Sequence, residues 1–550
     1  MPASRDLVEE LCRRHSAAKS DRSTLDSTWE RIAELFRPER LGFTSTRTPG
    51  DERLREIFDA VQIDCASRLA SSMNALITPK GEAWVAVTTE DSAEADDDEV
   101  TTWLEESGKV LLARMYDPAA NLEGMLQPAY ADIVTFGASP CFIAEPRPGA
   151  LLFRSYHLKN VHWLRDHAGR PDTVFATCEM TARQAKQRGW MGKRVTEALQ
   201  QDKPDEKLTF VEVTAPRHDF RPGSPLATNR PWAFYVIEQA EKEVVEEGGF
   251  HEMPWLIPEW EALSNGDIWS PARRSLADVR MLQQMAKTLI RQAHLAAEPP
   301  LLYAGDGIMG PLRRQPGGMT PFDSTQVPPS GKLVEVLNIA GDISVNFDMV
   351  EAVREACRRA FLLDVIQLPD RANMTATEVL RHNRDLVRLT MSPFGRFETG
   401  LVQPMVERCF AILFRQSQAL RFGQGSPFAP PPEALQGTNI KFKFFTEVAR
   451  ARQAAETAGI ATTFEALGPL VQVKPDILDH LDTDELARDV IGNQLSARYV
   501  KPMERVLAER QQRAAAIEEQ AQNEAAVQQS QAVKNITPAA QALMQREQAA

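Results

Sequence analysis

Two long stretches of helical periodicity flank one short polar segment, and this arrangement constrains the fold more than any other feature of the sequence. Upstream, apolar residues recur every three or four positions from Val350 to Val365, which is the spacing of one helix face. Downstream, Thr375 begins a second helical pattern, and Glu378 lies where it completes a capping box. The sequence therefore predicts a helical hairpin. The loop of this hairpin is either a simple connection or a functional element, and the pattern is compatible with both.

The segment between the two patterns is short and carries both signs of charge. It opens with Pro369, which disfavours helix in the residue before it. Asp370, Arg371 and Asn373 follow. The sequence therefore predicts a polar loop that separates the two helices.

Length and composition indicate a soluble protein of several modules. The 550 residues exceed what one hydrophobic core can hold, so about three or four modules are expected. Hydrophobic residues at 43% and charged residues at 25% are ordinary for such a protein. No apolar run approaches the ~20 residues that span a bilayer, and the charged N-terminus lacks the apolar core of a signal peptide. We expect neither secretion nor a membrane partner.

Charge and cysteine usage narrow the possible environments. Six cysteines are scattered without a CxxC pair, which predicts reduced thiols in a cytoplasm. The net charge of −13 argues against tight wrapping of nucleic acid, because that requires a basic face. A surface past which DNA slides without adhering is compatible with this charge.

Helical patterns dominate the first 136 residues. Residues 4–38 are predicted to form a pair of helices. Further helices are expected at 57–77, 99–116 and 121–136, with a short strand at 83–87. The acidic run 91–106 lacks the glycine and alternating oxygen donors of a calcium loop. Its negative charges instead lie at the N-terminus of the helix that follows, where the helix dipole stabilises them.

A β-rich module is predicted over 141–260. Short β-branched or aromatic segments alternate there with turn residues, a pattern typical of strands. The segments are 141–145, 151–157, 173–179, 208–214 and 232–238. One helix, 182–188, interrupts them, and Thr181 with Gln184 can cap it.

A long helix is predicted to follow Pro271 and to continue to about Ala297, ~40 Å at 1.5 Å per residue. Away from its apolar stripe it carries five basic residues: Arg273, Arg274, Arg280, Lys287 and Arg291. The segment 301–343 has strand and turn composition.

The C-terminal third is predicted to be mostly helical. Pro393 and Gly395 are expected to kink the long helix that follows the polar loop. The Ala/Gln-rich tail beyond Met503 predicts a marginal or partner-dependent helix.

Motifs of nucleotide, metal and nucleophilic chemistry are not found. No GxxxxGK[ST] loop occurs, and the glycines at 305–310 neither follow a clear strand nor open a helix. His251 begins like a zinc-protease helix, but Pro254 would break it. Residues 157, 162 and 167 are histidines spaced by five in a β-region, which is a poor ligand geometry. The sequence argues against an enzyme and predicts no catalytic site, metal or cofactor.

The order of these elements resembles the portal, or head-to-tail connector, proteins of short-tailed bacteriophages. Five stretches, spread over some 350 residues, carry the resemblance. They are Phe58-Asp59 with Leu69-Ala70, Thr78-Pro79 and Trp84; Tyr156 to Thr177 with Met180 to Ala185; Phe250 to Pro258 with Leu276 to Asp278 and Glu298 to Leu301; Ala376 to Val379; and Pro404 to Arg408. Ile268 to Pro271 departs from the family's Gly-rich step, and no motif matches beyond about residue 440.

The resemblance implies a mainly helical α+β portal-type fold with an α/β wing. The regions it implies are the wing 1–267, stem helices 268–297 and 346–366, the clip 298–345, the tunnel loop 367–375, a long kinked helix returning to the wing 376–445, and a helical crown 446–550.

The resemblance also implies a dodecameric ring at the head–tail vertex of the virion, assembled in the host cytoplasm. Its channel would admit double-stranded DNA non-specifically during packaging and ejection. The implied channel-lining residues are Gln367, Asp370, Arg371 and Asn373. Implied partners are terminase, a tail adaptor at the clip, and the major capsid and scaffolding proteins. We expect the basic stem residues to pair with acids on a neighbouring subunit rather than to bind DNA directly.

Two other classes of protein are alternatives. A packaging-motor subunit such as a terminase would need a nucleotide-binding loop and acidic metal ligands on strands, and neither is visible. Another structural ring or tail adaptor of the virion would generally be much shorter and would lack the long stem-like helices.

Overall fold

A computed structural model describes residues 5–46, 50, 57–89, 98–263, 266–305, 311–323, 334–336, 343–366, 395–435, 437–445, 506 and 508–517. These residues form both helices and strands, which confirms the α+β class. The chain divides into two compact units. The first comprises 1–85, 109–428 and 444–452, and the second 86–108, 429–443 and 453–550. Within the described ranges, no helix has the length and apolarity needed to span a bilayer.

The first unit begins with one uninterrupted helix, α1 (Arg5–Phe36), so the predicted helix pair is wrong. Neither proline nor glycine occurs between these bounds, and nothing else breaks the helix. The apolar stripe changes face part-way because the packing partner changes. Val8 and Leu11 pack on a β-sheet, whereas the Trp29 indole N–H donates to the Phe136 carbonyl at 2.9 Å.

Three further helices lie close to their predicted bounds: α2 (Val61–Ile77), α3 (Asp98–Met115) and α4 (Leu122–Phe136). Helix α4 ends at Gly137, whose φ is 91°. A Cβ there would lie 2.7 Å from the Trp269 carbonyl oxygen, so only glycine fits this close approach.

Two antiparallel sheets make up the β-rich module. Their strands are β2 (Cys141–Ala144), β3 (Leu152–Ser155), β4 (Val161–Arg165), β5 (Pro171–Thr181), β6 (Lys207–Pro216), β7 (Trp232–Glu238), β8 (Glu243–Phe250) and β9 (Trp255–Leu256). The smaller sheet has the order β3-β2-β9, and the larger sheet runs from β4 to β8 in sequence order. Strands β4, β8 and β9 were not predicted.

Alternate residues of the large sheet face different partners, as the period of two requires. Phe175, Val211 and Val213 pack under α1. On the opposite face, Phe210 and Val236 pack with Trp190 and two short helices, α5 (Ala182–Arg188) and α6 (Lys193–Gln200).

Helix α5 has the predicted bounds, and its capping box is confirmed. The Gln184 N–H donates to Thr181 Oγ1 at 3.3 Å, and the Thr181 N–H donates to Gln184 Oε1 at 3.0 Å. Helix α6 was not predicted.

The long helix after the β-module is α7 (Pro271–Ala297), as predicted. Ser270 caps it by accepting from the Arg273 N–H at 3.0 Å. A short hairpin, β10 (Glu261–Ala262) with β11 (Ile268–Trp269), precedes it. Three strands follow it, and then two helices: β12 (Leu301–Gly305), β13 (Met319–Asp323), β14 (Val334–Val336), α8 (Ile343–Ala360) and α9 (Leu363–Ile366).

The late helix contains a π turn, Glu398–Val402, that leads into α10 (Gln403–Ala419). Pro404 has no N–H to give to the carbonyl four residues back. The N–H of the preceding residue, Gln403, reaches the Glu398 carbonyl, which is five residues back as in a π turn. Gly395 begins the described part of this helix and does not end it. Pro393 lies outside the described residues.

The described second unit is small. Strand β1 (Val85–Thr89) pairs with β15 (Ile440–Phe444), which confirms the strand predicted near Phe442. The Trp103 indole N–H of α3 donates to the Ala429 carbonyl at 3.0 Å. Of the predicted crown 446–550, only residue 506 and residues 508–517, all helical, are described.

Candidate functional site

The four sequence-predicted site residues, Gln367, Asp370, Arg371 and Asn373, lie outside the described residues, together with the rest of 367–394. The described chain reaches this segment through α8 and α9 on one side and resumes at Gly395 on the other. The described site therefore consists of the long helices that lead to the segment and the residues that hold those helices together.

The second long helix does not run unbroken over the predicted 346–366. Helix α8 ends at Ala360, and Leu362 has a left-handed φ of 56° before the single turn of α9. Burial explains the break. Phe361 is fully buried, and its ring centroid lies 5.9 Å from that of Phe36 at the end of α1. The turn before the predicted loop is thus anchored to the protein core.

A buried polar joint fixes both long helices to the start of α2. Gln283 of α7 accepts the N–H groups of Phe58 and Asp59 at 2.7 and 3.1 Å, and its Nε2 donates to the Asp59 carbonyl at 2.7 Å. The Asp59 carboxylate accepts from Arg354 of α8 at 2.9 Å and from the Val61 N–H at 2.9 Å. Because Asp59 and Gln283 are 6% and 7% exposed, an unpaired group here would be costly.

Sequence reasoning found only part of this joint. Phe58-Asp59 was noticed through the family resemblance, but Gln283 and Arg354 were missed. They lie 224 and 295 residues from Asp59 in sequence, so no local pattern connects them.

The charges of α8 largely satisfy one another. Glu351 accepts from Arg354 at 3.0 Å and from Arg358 at 3.1 Å, and Arg358 also donates to Glu355 at 3.0 Å. Hydrogen bonds from Arg354 and Arg358 lower the pKa of Glu351. These acids are therefore already engaged within their own helix.

The basic residues of α7 divide into two groups. Arg273 binds Asp267 through both nitrogens, at 2.5 and 3.1 Å, and Arg274 pairs with Glu261. The Lys287 ammonium lies 5.2 Å from the ring centroid of Phe58. By contrast, two exposed arginines have no partner in the part of the chain that the structure describes: Arg280 and Arg291. Among the basic residues of α7, these two are therefore the ones most available to another molecule.

One face of the small sheet between α7 and α8 is apolar and open to solvent. Strand β12 lies between β13 and β14, and two rows of its register place the following side chains on one face: Met319, Leu301 and Val336, then Pro321, Tyr303 and Val334. Met319 is 56% exposed and Val334 53%. Exposed apolar side chains that lie together make this face a candidate interaction surface.

Arg408, which the resemblance had matched, is a buried anchor of α10. It is 3% exposed and donates to the Ile143 carbonyl at 3.2 Å and to the Glu252 carbonyl at 2.9 Å. Burial lowers the pKa of Arg408 to about 10. The residue therefore ties α10 to β2 and to the segment 251–254 between β8 and β9.

Metal binding has no visible support in the described ranges. No group of three or more His, Cys, Asp or Glu side chains within them can hold a metal ion. All six cysteines are free. Burial raises the pKa of the Cys141 and Cys409 thiols to about 12, so these two are inert rather than nucleophilic.

Comparison with known proteins identifies relatives along most of the chain. The family model described as "Bacteriophage head to tail connecting protein" matches residues 8–497. A "Probable portal protein" of Bordetella phage BPP-1 is 24% identical over 519 residues, covering 92% of this chain and 90% of its own length. The "Portal protein" of Salmonella phage epsilon15 is 24% identical over 523 residues, covering 92% and 91%.

Likeness to solved structures is weaker. A chain of the "Virion of native gene transfer agent (GTA) particle" gives a TM-score of 0.33 at 12% identity, over 76% of this chain and 88% of that one. Likeness at this level carries no argument about fold or function. The family match does, because it extends over nearly the whole sequence. The chain therefore belongs to the bacteriophage head to tail connecting proteins, the family of the phage portal proteins.

Proposed function

We propose that copies of this chain form a ring, twelve in number, at the vertex that joins a phage head to its tail, and that DNA passes through the ring during packaging and ejection. The observation that carries the proposal is the pair α7 and α8. They pack on each other, a small sheet connects them, and a buried joint at Asp59 holds both to the rest of the first unit.

The regions are assigned by analogy with the family. Residues 1–267 form the wing, 268–297 and 346–366 the paired stem helices, 298–345 the clip, and 367–375 the tunnel loop. Residues 376–445 form the long helix and return to the wing, and 446–550 form the crown. The Asp59 joint then fastens both stem helices to the wing.

The chain acts mechanically in this proposal and makes or breaks no bond. Terminase supplies the force, and the polar loop acts as a gasket that resists back-slip of DNA through Gln367, Asp370, Arg371 and Asn373. The net charge of −13 limits adhesion of phosphates, because each Lys or Arg contact would add a salt-dependent hold. A tail adaptor docks at the clip, and capsid and scaffolding proteins surround the wing.

The apolar sheet face fits this arrangement as a contact between neighbouring copies. A ring with cyclic symmetry repeats one head-to-tail contact, so each copy must carry surfaces that are covered only in the assembly. Met319, Tyr303, Val334 and Val336 form such a surface.

Electron microscopy of the purified protein at micromolar concentration tests the ring. Rings with a central hole support the proposal and give the symmetry directly. Compact monomers, also in the presence of a scaffolding protein, contradict it.

The amount of DNA packaged per head tests the role of the predicted tunnel loop 367–375. In the double variant Asp370→Ala, Arg371→Ala, rings are expected to persist while the DNA retained per head falls. Unchanged packaging removes the loop from the mechanism.

A further inference from the structure

Two buried histidines lie between α1 and the five-stranded sheet. His15 of α1 is 8% exposed and His162 of β4 is 4% exposed, and their ring centroids are 5.5 Å apart with the planes at 73°. The His15 ring also stacks on Phe175 of β5 at 5.3 Å. The pair thus belongs to the contact that docks the N-terminal half of α1, beside the packing of Val8 and Leu11.

Three of the four nitrogens in this pair have no hydrogen-bond partner: His15 Nε2, His162 Nδ1 and His162 Nε2. Nearby His157 is different. Its Nδ1 accepts from the Lys159 N–H at 3.0 Å, and its Nε2 lies 3.0 Å from the Arg40 carbonyl. A neutral His157 is therefore fully satisfied, whereas three ring nitrogens of the His15–His162 pair are buried without a hydrogen bond.

The charges that surround the pair are positive. The charged or titratable groups near it come from α1 and the β7–β8 turn: Cys12, Lys19, Arg22 and Lys242. Arg22 is already paired with Asp26 at 2.9 Å, and Arg14 reaches Thr173 at 3.3 Å. Among the described residues, no carboxylate pairs with either imidazole.

These surroundings disfavour a protonated ring. Burial, with Lys19 and Arg22 adding to it, lowers the pKa of His15 to about 4. Burial, then Arg22, His15 and Lys19, lowers the pKa of His162 to about 2. The docked state therefore holds both rings neutral at any pH well above 4.

We propose that His15 and His162 form an acid-labile latch, which releases the N-terminal half of α1 from the sheet when either ring takes up a proton. Release exposes Val8 and Leu11 together with the sheet surface beneath them. The C-terminal half of α1 stays in place, because Trp29 is held at Phe136 and the chain just after α1 is held by ion pairs from Arg37 and Arg40 to Asp132.

The direction follows from linkage. A released histidine titrates near its ordinary pKa of 6.5, and the docked ring titrates well below that. Docking is therefore at full strength above pH 6.5 and weakens as the pH falls through and below it. Between pH 8 and pH 5 the docking equilibrium is expected to fall about 30-fold for each histidine and about 1000-fold for the pair.

Hydrogen–deuterium exchange on the full chain tests the latch, with rates at pH 8 and pH 5 corrected for intrinsic exchange. Protection in residues 5–22 is expected to fall by up to about 1000-fold at pH 5, while residues 27–36 change little. Equal protection of 5–22 at both pH values overturns the proposal.

Variants separate the pair from other titrating groups. His15→Phe with His162→Phe keeps two aromatic rings that cannot take up a proton, and its protection in 5–22 is expected to be the same at both pH values. His167→Gln, at an exposed histidine in the β4–β5 turn, is the matched control and keeps the wild-type response. A persisting response in the double variant overturns the latch. If circular dichroism shows that the double variant does not fold, His15→Phe alone is tested. In this variant the fall in protection of residues 5–22 between pH 8 and pH 5 is expected to be about 30-fold smaller than in the wild type.

Discussion

Gln283 and Asp59 hold each other by reciprocal hydrogen bonds although 224 residues separate them in sequence. The Asp59 N–H donates to Gln283 Oε1 at 3.1 Å, and Gln283 Nε2 donates to the Asp59 carbonyl at 2.7 Å. Arg354 completes the joint from α8. One side-chain amide therefore holds the backbone before α2 against helix α7.

Removal of this amide is expected to be costly. Gln283→Ala leaves the N–H groups of Phe58 and Asp59 without their acceptor, and the free energy of unfolding should fall by about 2–3 kcal/mol. The exposed neighbour Gln284→Ala is the control and should change it by less than about 0.5 kcal/mol. Urea denaturation measures both. Equal effects of the two variants would show that the joint contributes nothing specific.

The loop after α1 is predicted to depend on a buried carboxylate. Glu30 accepts from the N–H groups of residues 42–44 and from the Ser45 hydroxyl at 2.5 Å. Desolvation raises the pKa of Glu30, but the hydrogen bonds from Ser45 and the backbone outweigh it, and the pKa is lower than its ordinary 4.5. A depressed carboxyl pKa stabilises the fold above that ordinary value, and this contribution is lost as the pH falls through the folded value.

Glu30→Gln is therefore expected to lower the free energy of unfolding by about 1–2 kcal/mol at pH 7. The deficit relative to wild type should shrink below pH 4. Glu34→Gln, at an exposed position of the same helix, is the control. Denaturation at pH 7 and pH 3.5 measures the difference, and a deficit independent of pH would contradict the role of the ionised carboxylate.

Arg408 is predicted to be more important for stability than any exposed residue of α10. Arg408→Met removes the donor to the Ile143 and Glu252 carbonyls. Arg415 then remains as the ion-pair partner of the Glu252 carboxylate. We expect a loss of about 3–5 kcal/mol. Gln418→Ala, exposed on the same helix, should be nearly neutral. Thermal unfolding measures both, and a neutral Arg408→Met would mean that the buried pairing is not stabilising.

The apolar sheet face is predicted to control assembly rather than folding. Met319→Asp with Val334→Asp places two charges on a surface that is open to solvent in the single chain, so the circular dichroism spectrum should not change. Rings, observed by electron microscopy and by light scattering, should be lost. Leu226→Asp changes a side chain that is 61% exposed elsewhere and should leave rings intact. Intact rings in the double variant would exclude this face from the contact between copies.

Elements with local signals could be predicted from the sequence, and elements defined by distant partners could not. The capping box at Thr181 and Gln184 determines α5 within a few residues. The return of helical periodicity after Pro271 locates the start of α7. Helix α1 appeared to be two helices because its partner changes from sheet to helices part-way.

The same reason explains what was missed at the candidate site. The break at Leu362 depends on the burial of Phe361 against Phe36, and the joint depends on Gln283 reaching Asp59. Both contacts span more than 200 residues, so no window of sequence contains them. The polar loop residues stay a prediction, since they lie outside the described chain.

The continuity of α1 has a mechanical consequence. Its 32 residues form one continuous helix about 48 Å long at 1.5 Å per residue. One end is fastened to the sheet by Val8 and Leu11 and the other to α4 by Trp29. Because α1 is attached to both, a movement of the five-stranded sheet is transmitted to α4. If acid releases the N-terminal half of α1 from the sheet, the sheet and α4 can move independently.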